Sequence, residues 1–280
     1  MTAPSDAADT RPPGLTHGEP PASRPVLFDA IRSESIKLRS VRSTYWTLTL
    51  AAVAMVGLGS LFASRYTHLT PAEQASVDPA SYSLSGFFLA QLAIGVLGVL
   101  VMTSEYSTGS IRATLAALPQ RLTLLTAKAI VLLTATAPVA IAGSFAAFFA
   151  GQATLPAGVA VHLNDPGVLR AVLGAGLYLT VLGVGSLALG ALIRRPAGAI
   201  ATVVGLVFVL PGLVAALPTS WVNVTRYLPS SAGQAIIGHT RFASKSGSNL
   251  LSPWAGFGLF CGYVAVAFAA AAITLNRRDG

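Results

Sequence analysis

LAQLAIGVLGVLVMT, Leu89–Thr103, runs without interruption into SEYSTGSIRATLAALPQR, Ser104–Arg121. The first piece is apolar apart from Gln91 and a closing threonine. The second carries Glu105, Arg112, Arg121, a glycine break and a short amphipathic pattern. A chain that passes from hydrocarbon to water and turns back changes composition in this way, because charge is stable only beyond the apolar layer. The next apolar run begins at Leu124, so the patch lies between two crossings.

The whole composition agrees with this reading. Hydrophobic residues make up 53% and charged residues 10% of the 280 positions, with a mean hydropathy of +0.67, whereas roughly a quarter of a soluble domain is charged. A bilayer core is crossed by about 20 apolar residues in helical form, since every backbone amide must be paired within its own segment. Six stretches meet this condition: Tyr45–Ser64, Leu84–Thr103, Leu124–Ala150, Val168–Ile193, Ala197–Leu217 and Pro253–Leu275. They lack the polar/apolar alternation of a membrane barrel. The fold expected is an all-α polytopic membrane protein with six transmembrane helices.

The chain divides into three domains. Residues 1–25 are rich in Pro, Ala and charge with no apolar run, and are expected to be a disordered cytoplasmic tail without the pattern of a signal peptide. Residues 26–43, VLFDAIRSESIKLRSVRS, place Leu27, Ile31, Leu38 and Val41 on one arc with Arg32, Lys37 and Arg39 outside it. This predicts an amphipathic interface helix, each Lys or Arg contributing about 1 kcal/mol toward an anionic leaflet. Residues 44–280 form the transmembrane domain. Glu34 projects into the middle of the apolar arc: either it snorkels or pairs with Lys37 three residues on, or this face meets a protein partner and Glu34 pairs across the contact.

Orientation is set by Lys and Arg. With the amino terminus inside, thirteen of the 18, including Arg39, Arg42, Arg112, Arg121 and Lys128, lie on the cytoplasmic side and five on the other, so both termini are expected to be cytoplasmic. The net charge of +8 is then mostly orientation bias, and a nucleic-acid partner is not indicated. Cys261 is the only cysteine, which excludes an intrachain disulfide. His68, Glu73 and Asp78 have irregular spacing between prolines and predict no metal site. Ser186 and Gly190, with Gly176 and Gly183, predict close helix packing within a bundle or at a dimer interface. Pro138 and Pro211 lie inside spans and are candidates for kinks. Ser231 with Gln234 suggests a capping box in the outer segment 218–252.

No carboxylate lies deep in a span, which weakens an ATP-independent secondary carrier or channel. There is also no G-x-x-x-x-G-K-[ST] loop, so the chain has no means of hydrolysing ATP alone, and no H-E-x-x-H to suggest an enzyme. In the opening stretch, Glu105 stands at a helix carboxyl end, where an anion needs a positive partner. Gly109 permits a turn, Ser110 can cap a new helix, and Ile111, Leu115 and Leu118 share one side of that short helix with Arg112 opposite. The helix is either a lever for a cytoplasmic protein or a lipid-surface link.

ESIKLRSVRSTYWTL, LGVLVMTSEYSTGSIRATLAALPQRLTLLTAKAIV and YLPSSAGQAI resemble the permease subunits of ABC-2-type transporters in their actinobacterial form. The family pattern E-x-x-x-G-T after the second span is met by Glu105, Gly109 and Ser110, serine keeping the hydroxyl. The resemblance implies a bacterial cell-membrane permease that forms a homodimer or heterodimer and pairs with an ABC ATPase carrying ATP and Mg. It places an interface helix at Glu34, Lys37, Arg39 and Arg42, and an ATPase-coupling region at Glu105, Gly109, Ser110, Ile111, Arg112 and Leu115. Few charges in the spans favour an amphiphilic or lipidic cargo such as a drug, antibiotic or lipid.

Overall fold

A computed structural model describes residues 26–66, 68–76, 78–110, 120–156, 158–216, 222–238 and 251–278. The amino-terminal tail expected to be disordered and the coupling segment with Ile111, Arg112 and Leu115 lie outside the described residues. Within them the fold is all-α, with no strand. Six helices are long and apolar enough to cross a membrane.

The helices are α1 (Val26–Ser40), α2 (Arg42–Tyr66), α3 (Pro71–Ser76), α4 (Pro79–Leu84), α5 (Phe87–Ser107), α6 (Arg121–Gln152), α7 (Val168–Ile193), α8 (Pro196–Val204), α9 (Leu210–Ala215), α10 (Val222–Thr225), α11 (Pro229–Gln234) and α12 (Pro253–Arg278). The spans are α2, α4 with α5, α6, α7, α8 with α9, and α12. The fourth matches its sequence bounds residue for residue, since Gly167 and Arg194, both left-handed, close it at either end. Helix α1 ends at Ser40, three residues short of the limit expected for the amphipathic helix, and Val41 links it to α2.

The core forms around α5 and α7, the most buried spans, with α6 and α8 packed on them, α2 against α5 and α6, and α12 against α7. Without a hydrophobic force between helices in lipid, small residues let backbones approach. A Cβ placed on Gly98 would collide with the carbonyl oxygen of Gly183, and one on Gly176 would stand 2.8 Å from Ile141 Cα. The glycine pattern therefore packs helices within one chain. Higher in the same core Tyr178 donates to Gln91 Oε1 at 2.9 Å.

The two prolines behave differently. Pro138 lies within the unbroken α6. Ahead of Pro211 the turn widens into a π-helix, Gly205–Val209, where the Leu210 N–H reaches back to the Gly205 carbonyl. Pro211 has no N–H for the Val207 carbonyl, and the wider turn keeps its ring clear of that group.

The bundle has two distinct ends. The near end holds α1, the exit of α5, the start of α6 and the end of α12; Arg121 Nη1 donates to the Leu275 carbonyl at 2.8 Å there. The far end holds α3, α4 and α11. Asp78 caps α4 through the Ala80 N–H at 3.1 Å. α11 is buried at Ser230, Ala232 and Gly233, and Arg170 donates to the Ile236 and Gly238 carbonyls just beyond it, at 2.8 and 2.9 Å. The expected capping box is not formed: Pro229 begins the helix, so Ser231 lies inside its first turn and Leu228 takes the cap position without a side-chain bond.

Gly98→Val is expected to cost about 1–3 kcal/mol or more through overpacking, read as a lower melting temperature in detergent. Gly57→Val, at an exposed position with nothing within 4 Å of the added Cβ, is expected to change stability by no more than about 0.5 kcal/mol.

Candidate functional site

Four charged side chains from three helices meet at the near end. Glu34 comes from α1, where it interrupts an apolar face and is driven inward when that face packs on α6; it is 4% exposed. Glu105 comes from the last turn of α5. Lys128 comes from α6, two turns into the third span, and is 2% exposed. Lys37, one turn after Glu34, lies half-exposed at the rim.

The geometry is reciprocal. Lys128 Nζ donates to Glu34 Oε2 at 2.7 Å and to Glu105 Oε1 at 2.8 Å. Lys37 Nζ donates to Glu34 Oε1 at 2.7 Å and to Glu105 Oε1 at 3.0 Å. Each cation thus bridges both carboxylates, and the set is neutral. Burying an ion is tolerated only when it is paired and hydrogen-bonded. Desolvation alone would lower the Lys37 pKa, but the hydrogen bonds and charges of Glu34 and Glu105 outweigh it and raise it above the ordinary lysine value. A raised lysine pKa means that its stabilising contribution is complete below the ordinary value and is lost only as pH rises through the folded one. At neutral pH Lys37 is charged.

The pairing of Glu34 with Lys37 along its own helix is formed, while the contact across which it also pairs is with Lys128 of this chain's own third span and not with a partner protein. The positive partner that Glu105 requires is Lys128 together with Lys37. Counting Lys128 simply as cytoplasmic charge is corrected, because it is buried on a span helix. The signal that would have found it is a lone lysine inside an otherwise apolar crossing, which needs an anion at the same depth.

Other residues surround the cluster. Gly109 has φ 71° and turns the chain directly after α5. Ser110 Oγ lies 3.0 Å from Thr108 Oγ1. The Arg194 guanidinium sits 5.3 Å from the centre of the Tyr106 ring, joining the end of α7 to the same exit. A cavity of about 450 Å³ adjoins the cluster, lined by Glu34, Lys37, Ser104, Glu105, Ser110 and Lys128 among others. Arg39 and Arg42 are exposed and stand outside the cluster. No group of three or more His, Cys, Asp or Glu residues suited to a metal occurs among the described residues; Glu73 instead accepts from Thr70 and Asp78 from Ser81.

The cluster fastens α1 to the last turn of α5 and to the first turns of α6. Lys128→Met is expected to lower stability by about 3–5 kcal/mol by leaving two buried carboxylates to a single, half-exposed lysine, measured by chemical unfolding in detergent. Lys128→Met with Glu105→Gln is expected to recover a large part of that loss, the non-additivity of coupled residues.

The family model described as "ABC-2 family transporter protein" matches residues 30–212, more than half of the chain and every residue of the cluster. No curated protein matches it.

Proposed function

Since the chain belongs to the ABC-2 family of transporter proteins, as a multi-pass permease subunit and not itself a catalyst, we infer that it exports an amphiphilic or lipidic cargo across the bacterial cell membrane. ATP, with Mg, is hydrolysed on a separate ABC ATPase, and two permeases, identical or different, form the membrane part. The observation that carries this reading is the four-charge cluster of Glu34, Lys37, Glu105 and Lys128.

The near end faces the cytoplasm in this reading, in accord with the distribution of Lys and Arg. The segment beyond Gly109, with Ile111, Arg112 and Leu115, docks on the ATPase. When the ATPases close on nucleotide, the push enters the link between α5 and α6. Each lysine bonds a carboxylate of α1 and the carboxylate of α5, so α1, α5 and α6 move as one body. Charge-assisted bonds of this kind are among the stronger non-covalent contacts. α5 then carries α7 with it through the Gly98–Gly183 contact. A groove of about 680 Å³ between α6, α7 and α12, with Leu133, Val181, Val264 and Phe268 in its walls and no charged residue, supports a hydrocarbon-bearing cargo over an ion or a sugar.

The test uses the permease co-expressed with its partner ABC ATPase. Arg112→Ala and, separately, Glu105→Ala are expected to reduce ATP-dependent efflux of an amphiphilic dye at least about tenfold, equivalent to about 1.4 kcal/mol of coupling. Arg112→Ala is also expected to reduce co-purification of the ATPase. Unchanged association and unchanged export in both variants would overturn the reading, as would gradient-driven transport by the permease alone. Ser110→Cys in a Cys261→Ser background is expected to react with an impermeant maleimide only after the cells are opened.

A further inference from the structure

Several buried serine and threonine hydroxyls in this bundle bond back along their own helix. Thr103, Thr136, Ser144 and Thr180 each donate to the carbonyl four residues earlier, at 2.7–3.0 Å. Ser186 is on the same helix as Thr180, is 1% exposed, and makes no such bond; Ser230, on α11, is 2% exposed and is also without a hydrogen-bond partner. A buried hydroxyl left unpaired loses its water bonds for nothing, and each case calls for an explanation. These two line the same half-enclosed cavity of about 100 Å³, bounded by α7, the π-turn of the fifth span, α11 and α12.

The cavity wall decides what can enter. Leu182, Leu206, Val207, Phe260 and Val264 make it hydrocarbon, and no charged residue lines it. The remaining polar side chain, Tyr263, already donates to the Tyr227 carbonyl at 2.8 Å. An ion placed there would have no counter-charge, so charged groups are excluded. Water alone would face apolar walls with few partners, whereas buried waters usually have about three. A neutral polar group attached to a hydrocarbon chain satisfies both hydroxyls and fills the walls. The π-turn beside it is the irregularity often found at functional positions, and Val207, whose carbonyl is denied the Pro211 N–H, lies within that turn.

We propose that this cavity within a single chain is a binding site for a neutral amphiphile, whose ester, ether or hydroxyl oxygen is held by Ser186 and Ser230 while its chain lies against Leu182, Phe260 and Val264. The guest is either the cargo or a resident lipid of the same chemistry. The proposal deepens the amphiphilic-cargo reading and rests on it for the first of these sources.

The experiment uses the full-length permease in phosphatidylcholine nanodiscs without an ATPase, so its outcome is independent of whether ATPase coupling is confirmed. The probe is a monoacylglycerol with a diazirine on its acyl chain; a diazirine alkane of equal length is the comparison. The monoacylglycerol is expected to label peptides containing Leu182, Phe260 and Val264, in competition with unlabelled monoacylglycerol. Ser186→Ala with Ser230→Ala is expected to reduce that labelling about tenfold, the factor that loss of two modest hydrogen bonds supports, and to leave alkane labelling unchanged. Val264→Phe, which fills the cavity, is expected to reduce both at this site. Exchange of the probe into the site marks a mobile guest, and a native acyl ester that stays with the protein in mass spectrometry marks a resident lipid. Labelling no different from that of the alkane, labelling insensitive to both serines, or a cavity holding water only would overturn the proposal.

Discussion

Hydrocarbon offers no hydrogen-bond partner, and almost every feature of this protein is an answer to that single deficiency. The backbone answers it with helices, because only a helix pairs its own amides within one segment. Most buried hydroxyls answer it by bonding the carbonyl one turn earlier, as Thr136 and Ser144 do. Charges answer it collectively: Glu34, Glu105, Lys37 and Lys128 reach the near end of the bundle from three helices and neutralise one another there. The loops answer it at the far end, where Asp78 caps a helix and Arg170 meets the carbonyls just beyond α11.

The ionic solution has a mechanical consequence that the hydroxyl solution lacks. A back-bonded threonine is content within its own helix and ties nothing together. A lysine two turns inside a span is stable only while carboxylates from other helices remain within reach, so the separation of α1 from α5 and α6 is opposed by the exposure of buried charge. The amphipathic helix is therefore fastened to the spans by more than its apolar face. Gly109, with its left-handed backbone, lies just beyond this fastening, where the chain turns away.

Within the bundle, close packing has the complementary role. Where Gly98 faces the Gly183 backbone, α5 and α7 are in direct contact, and displacement of one is resisted by the other. The fifth span is among the least buried. Its π-turn and the short α11 beside it create the cavity where Ser186 and Ser230 depart from the habit of their neighbours. The irregular segment and the unpaired hydroxyls occur together.

Composition and apolar run length by themselves determined that the chain crosses a membrane six times as helices, because the cost of an unpaired amide in lipid is independent of which helix lies next to it. Local chemistry likewise made the turn at Gly109 and the helix α1 legible, along with the need of Glu105 for a cation. Only the tertiary structure decided which cation that was. Lys128 is 23 residues from Glu105 and 94 from Glu34 along the chain, and no periodicity in the sequence encodes a meeting between helices. The capping box failed for a related reason: Pro229 started α11 three residues early, placing Ser231 inside the helix. Whether a serine bonds its own backbone or faces a cavity depends on the neighbouring helices, and that is a property of packing.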